Sequence, residues 1–204
     1  MRDETIDGFL RQLAARTSVP GGGTVAGLHA AQAAALIAMV ARFSDGPQHD
    51  ADVVGPVLAA ADGLIAEALE LAEADAQAFE AVTQAYRLPR ESQQEGEARS
   101  SAIAKALEGA ARPPADLLAL SARVIGLAED LLPAANRNLL SDLLAAAASI
   151  RAAAEISRVN IEVNVPGIAD QAVRGELTAA MGSAAGIIVR TDHLSAGVRE
   201  ILIK

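Results

Sequence analysis

The sequence predicts an all-α protein: a multi-helix bundle around a long buried central helix, assembled as an oligomer. Three observations predict it. From Thr24 to Phe43 the chain is Ala, Leu, Ile and Val with no Lys, Arg, Asp or Glu before Arg42, so a helix there can be solvated on only a small part of its circumference and other helices must pack around it. Most of the remaining segments place apolar residues at steps of three and four. Apolar residues make up 51% of the 204 residues but aromatics only 2%, so the core is built of small side chains. Small side chains let helices approach closely but bury little area each, which favours a broad bundle with a subunit interface.

The elements follow in order. Thr5 to Ala15 sets Ile6, Phe9, Leu10 and Leu13 on one side, an amphipathic first helix. Then comes Pro20-Gly21-Gly22-Gly23-Thr24, a loop whose glycines lack Cβ atoms and whose free N–H groups sit at the positive end of the central helix. Such a loop suits an anion or a carbonyl oxygen. Gly21 to Ala26 formally fits a dinucleotide fingerprint, but the preceding segment reads as a helix rather than a strand, and no Gly-Lys-Ser/Thr follows, so both familiar nucleotide loops are excluded. A tight turn that lets two helices touch is the other reading of the glycines.

Ser44 to Asp50 is a polar, turn-rich connection, and a third helix is expected from Asp52 to about Tyr86, bent near Gly55-Pro56. Its apolar stripe runs through Leu64, Ala68, Leu71, Ala72, Phe79, Val82 and Tyr86, and Asp75 falls within it. A carboxylate on a core-facing stripe costs several kcal/mol unless it is paired or lines a polar cleft. Asp75 is therefore either a buried cap or bridge to a neighbouring helix or an acid/base group with a shifted pKa. Glu91 to Ala111 is expected as a helix closed by Arg112-Pro113-Pro114, with another over Asp116 to Leu132.

A helix from about Asn136 to Asn164 would put Asn138, Asp142, Ala145, Ser149, Ala152, Ile156, Asn160 and Asn164 on one face, a polar ribbon that bonds other helices or lines a pocket. Val159 to Val165 alternates like a strand but has no second strand to pair with, so it is kept helical. Gln171 to about Leu202 forms a last helix or pair.

The formal net charge of -9 and the absence of a long basic run exclude nucleic acid as a partner. With no cysteine there is no disulfide, and the three histidines show no metal-ligand spacing. The charged start lacks a signal-peptide core, and Gly27, His29 and Gln32 within an Ala-rich helix argue against a membrane span, so one domain over residues 1–204 in the cytoplasm is expected.

Four segments carry a resemblance when taken together. They are Pro20-Gly21-Gly22-Gly23-Thr24-Val25-Ala26; Asp75-Ala76-Gln77-Ala78-Phe79 with Ala85-Tyr86-Arg87-Leu88-Pro89; Asn136-Arg137-Asn138-Leu139-Leu140-Ser141-Asp142; and Val159-Asn160-Ile161-Glu162-Val163-Asn164. In order and spacing they resemble the methenyltetrahydrofolate cyclohydrolase and formimidoyltetrahydrofolate cyclodeaminase family, which includes the C-terminal half of formiminotransferase-cyclodeaminase. The resemblance implies an all-helical homodimer acting on a tetrahydrofolate derivative, without a metal or redox cofactor. It implies a catalytic Asp75 aided by Asp142, and a substrate site drawn from Pro20, Gly21, Gly22, Gly23, Thr24, Tyr86, Asn136, Asn138, Ser141, Asn160 and Asn164. Where family members commonly carry a Gly-Lys-Lys-Lys-Tyr-like segment after the central helix, this chain has Asp45-Gly46-Pro47-Gln48-His49-Asp50. That departure supports the alternative reading, a non-catalytic helical oligomer that binds folate or acts as a structural partner.

Overall fold

The computed structural model describes residues 3–44, 46 and 50–203. Among the described residues six helices follow one another: α1 (Ile6–Leu13), α2 (Gly22–Arg42), α3 (Ala51–Tyr86), α4 (Gln93–Leu131), α5 (Leu140–Asn164) and α6 (Gln171–Ile203). Short 3-10 turns at Leu132–Ala134, Arg137–Leu139 and Val165–Gly167 punctuate the last third, and among the described residues there is no strand. The alternating stretch before Val165 is thus the end of α5, because a lone strand would leave its N–H and C=O groups unpaired.

α2 packs on α3, α5 and α4, and α6 packs on α4 and α5. Ala26, Ala30, Ala33, Ala34, Ile37, Ala38, Val40 and Ala41 of α2 are buried, whereas Gln32, Ala35 and Phe43 are exposed. Within one chain α2 is therefore a wall of the bundle. Its outer stripe faces away from the body. α2 is also the one described helix long and apolar enough by composition to cross a bilayer, with 61% of its most apolar window buried inside the protein.

α2 and α3 approach closely at Gly27. A Cβ there would lie 2.6 Å from the Ala72 Cβ and 3.0 Å from the Ala68 carbonyl oxygen, so the α2–α3 spacing is set by a missing side chain. Gly27→Ala is expected to destabilise by about 1–3 kcal/mol despite its better helix propensity, read as a lower thermal midpoint.

Two boundaries differ from expectation. α4 runs unbroken through Pro113 and Pro114. Each proline removes one helical hydrogen bond at a cost of about 3 kcal/mol. Both are buried, and the continuous helix carries Leu117, Leu118, Leu120, Val124, Ile125 and Leu131 into the core, each worth roughly 1.5–3 kcal/mol. Burial outweighs the breaks.

The other correction is at Asn136, where the expected helix does not begin. Asn136 caps the turn Arg137–Leu139 by accepting from the Asn138 N–H, and α5 starts only at Leu140. Asn138 therefore stands outside the α5 face it was expected to extend. The final segment is one helix rather than two, held by Arg190, which forks onto Glu129 and reaches the Ala122 carbonyl of α4, and by Asp192, which accepts from Arg151 of α5.

Candidate active site

α2 begins without a side-chain cap of its own, since its N-cap is Gly21. The first N–H groups of a helix have no intrahelical acceptor. Asp75, arriving on α3, supplies one, accepting from the backbone N–H of Thr24. The contact is close because position 23 is glycine: a Cβ on Gly23 would sit 2.0 Å from Asp75 Oδ1. The apolar stripe of α3 carries this carboxylate onto the N-terminus of α2 for a physical reason. There it meets hydrogen-bond donors and the positive end of a helix dipole.

Those donors stabilise the carboxylate, yet burial outweighs them. Desolvation pushes the Asp75 carboxyl up from 3.8 to about 6, against the lowering effect of the Thr24 N–H. Because the folded value lies above the unfolded one, the protonated carboxyl favours folding. Its contribution is present in full below pH 3.8 and is lost as pH rises through about 6. Near neutral pH the group is an ionised base in a partly dry site.

The pocket in front of Asp75 encloses about 140 Å³, bounded by Gly21, Gly22 and Gly23, by Phe79 one turn along α3, by Ala110 of α4, and by Asn160 and Asn164 of α5. The Asn160 and Asn164 amide groups donate back to Ile156 and Asn160 carbonyls at 3.1 and 2.7 Å, bonds that leave their side-chain oxygens unengaged. Ala110 has chemistry of its own. Pro114 has no N–H, so the Ala110 carbonyl lacks the donor an α-helix would normally give it four residues on.

The structure thus brings Gly21, Gly22, Gly23, Thr24, Asn160 and Asn164 to Asp75. The remaining positions lie elsewhere. Pro20 faces a neighbouring cleft with Gln12, Thr24 and Gln77. Tyr86 closes α3 three turns away, about 16 Å along the helix, with Arg99 over its ring at 5.6 Å.

Asn136, Asn138, Ser141 and Asp142 stand at the opposite end of α2. The Asn136 side-chain amide donates to the Phe43 carbonyl and its backbone N–H to Ser44 Oγ, both at 2.9 Å, so Asn136 closes the C-terminus of α2. Given the length of α2, that end is on the order of 30 Å from Asp75. Asn136→Ala is expected to lower stability by about 1–2 kcal/mol, with a smaller effect on KM than Asp75 substitutions, since it removes a helix-end bond.

Phe79, Ala110, Ser18, Val19 and Val163 also bound the pocket and were not among the expected site residues. Phe79 was traceable, as it lies four residues from Asp75 on the same stripe. Of the departing segment after α2, Asp45, Pro47, Gln48 and His49 lie outside the described residues. Among the described residues no group of three or more His, Cys, Asp and Glu gathers.

The family model described as formiminotransferase-cyclodeaminase matches residues 5–183. A methenyltetrahydrofolate cyclohydrolase of Methylorubrum extorquens is 34% identical over 177 residues, covering 85% of each chain. The formimidoyltransferase-cyclodeaminase of Mus musculus is 29% identical over 82% of this chain, which spans only 32% of that longer protein. A solved structure, the formiminotetrahydrofolate cyclodeaminase of Thermotoga maritima, superposes with a TM-score of 0.82 at 27% identity, covering 97% of this chain and 98% of that one. By the extent of the family match and of the cyclohydrolase relative, the chain belongs to the formiminotransferase-cyclodeaminase family.

Proposed function

We propose that this protein hydrolyses 5,10-methenyltetrahydrofolate to 10-formyltetrahydrofolate, with Asp75 as general base. The observation that carries the proposal is the desolvated Asp75 carboxylate held against the free N–H end of α2, in a pocket shared with two asparagines. The cyclohydrolase relative, matched along most of both chains, supports this choice of reaction.

In that reaction a water adds to the cationic carbon between N5 and N10, and Asp75 takes its proton as the C–O bond forms. Ionised Asp75 also offsets the amidinium charge of the bound substrate. The tetrahedral adduct then breaks its C–N5 bond as its hydroxyl proton is released to solvent and C=O forms, N5 receives the proton held by Asp75, and the formyl group stays on N10. Asn160 and Asn164 offer acceptors to pterin N–H groups or to the attacking water, and the Gly22 and Gly23 N–H groups offer donors to a carbonyl. Phe79 supplies an aromatic surface beside them.

The second reading is cyclisation of 5-formimidoyltetrahydrofolate, favoured by the structural likeness to the Thermotoga cyclodeaminase. There N10 attacks the formimino carbon, Asp75 accepts the N10 proton, and ammonia leaves with it. The two are separated by supplying each substrate to the purified protein. Methenyl absorbance should fall with the first substrate, with 10-formyltetrahydrofolate as product. A rise in methenyl absorbance with ammonia released from the second, and no decay with the first, would overturn the hydrolase assignment. Turnover of neither would favour the non-catalytic alternative.

A further inference from the structure

We infer that the Asp75 pocket continues into the groove between the second half of α3 and the first half of α4, and that this groove takes the aminobenzoyl-glutamate arm of the folate, with Lys105 as the counter-charge to its carboxylates. The identity of the ligand rests on the function proposed above.

The pocket alone is too small for such a ligand. At about 140 Å³ it falls below the roughly 300–1,000 Å³ of a site for a molecule of this size. It holds the ring end of a folate, and the arm must leave it. Phe79 and Ala110 bound the pocket, and their neighbours in sequence, Ala78 and Gly109, bound a groove of about 500 Å³ that runs on between the two helices past Ala85 and Leu88. Pocket and groove together fall within the usual range. The junction is open on the α4 side, where a Cβ on Gly109 would meet nothing within 4 Å. Phe79 at the junction is 46% exposed, and Leu88 at the outer end is 42% exposed. An aromatic ring laid between them removes apolar surface from water on both sides.

The polar groups follow the order of the arm. Pro113 and Pro114 have no N–H, so the Gly109 and Ala110 carbonyls both lack the donor that a helix would give them four residues on. One belongs to the groove and the other to the pocket, and the arm's amide N–H needs an acceptor. Lys105 lies one turn before Gly109, about 6 Å along α4, and its flexible four-carbon stem extends the reach of the ammonium further. An aminobenzoyl unit with the first glutamate carboxylate beyond it spans a similar length, roughly 10 Å.

Charge sets the direction. A second cleft flanks the pocket past Val19 and Ala76, and it carries the carboxylates of Glu4 and Glu73. The folate's glutamate is a dianion, which those carboxylates repel in a chain of net charge -9. Among the described residues no Asp or Glu lines the α3–α4 groove, and Lys105, one of two lysines in the sequence, does. Glu108, its acidic neighbour on α4, is held by Arg112 at 3.1 Å, and Lys105 makes no ion pair among the described residues. The groove therefore offers an uncommitted cation where the alternative route offers anions.

Equilibrium binding of 5-formyltetrahydrofolate and of 5-formyltetrahydropteroate, the same molecule without its glutamate, tests the arm directly. Wild type should bind the first more tightly. An exposed ion pair changes affinity by up to about 5-fold, and reversing one sign replaces attraction with repulsion, so Lys105→Glu should weaken the first ligand by about 3–25-fold. It should leave the second within about twofold, and Lys105→Arg should restore the preference. Gly109→Leu should fold with an equal or higher thermal midpoint, because its side chain enters open space and Leu is the better helix former. That side chain fills the groove, so both ligands should bind at least about tenfold more weakly.

Equal effects of Lys105→Glu on the two ligands, or wild-type binding of both by Gly109→Leu, overturn the assignment. Wild type that binds neither ligand overturns it together with the folate reading. The Lys105 pattern intact, with no turnover of either folate substrate, removes the catalytic function and leaves the groove's role standing.

Discussion

Asp75→Asn is expected to reduce kcat by about 10²–10⁴-fold and, at pH 8, to raise the unfolding midpoint. The two effects have one origin. An asparagine oxygen still accepts from the Thr24 N–H, so the cap on α2 survives, but no proton acceptor remains. The carboxylate it replaces is held in a desolvated place, where a rise from 3.8 to about 6 marks a folded state that disfavours the charge. Allowing for its partial exposure, removing the charge is worth on the order of 1–2 kcal/mol, or a few degrees for a chain of this size. Well below pH 3.8 the gain should vanish, since the unsubstituted carboxyl is then protonated in both states. Thermal scans of the two proteins at pH 8 and pH 3 check the pair of expectations.

Gly23→Ala carries the next largest effect. Its Cβ would fall 2.0 Å from Asp75 Oδ1 and 2.3 Å from Cγ, too close for any real contact, so the carboxylate must leave the α2 terminus. Displacing a reacting group by an ångström costs about 10²-fold in rate. Overpacking adds about 1–3 kcal/mol of instability, which outweighs the better helix propensity of Ala. Gly22→Ala is the control for stability: its Cβ would meet only Ile156 Cγ2 at 3.7 Å and the Asn160 amide nitrogen at 4.0 Å, ordinary contacts. Its midpoint should match or exceed that of the unsubstituted protein, whereas Gly23→Ala should fall below it.

The catalytic half of this arrangement was legible because it broke a pattern. A carboxylate on an apolar stripe has few physical explanations, and both candidate explanations for Asp75 find support in its geometry: it caps a neighbouring helix and it stands in a pocket. The glycines before α2 were legible as a close approach, but glycine does not say what approaches. That Gly23 makes room for Asp75, and Gly27 for Ala72, is a property of two helices together. The misread boundaries were those where tertiary burial overrides a local signal. Pro113 and Pro114 stop an isolated helix, yet α4 continues because both are enclosed and the residues beyond them fill the core. The ribbon from Asn138 to Asn164 was drawn on one unbroken helix, so the far placement of its first members could not be seen. Asn160 and Asn164 reach the Asp75 pocket and Asp142 does not, although all three lie on one face of α5, because that helix runs antiparallel to α2 for its whole length.

The most direct test of Asp75 as the ionised base is the pH dependence of kcat/KM for the accepted folate substrate, from pH 5 to pH 8. The structure predicts activity rising with pH along a single acid limb whose midpoint is about 6, the value to which burial pushes this carboxyl. A profile flat across that range, or an identical limb persisting in the residual activity of Asp75→Asn, would assign the proton transfer to another group and contradict the account.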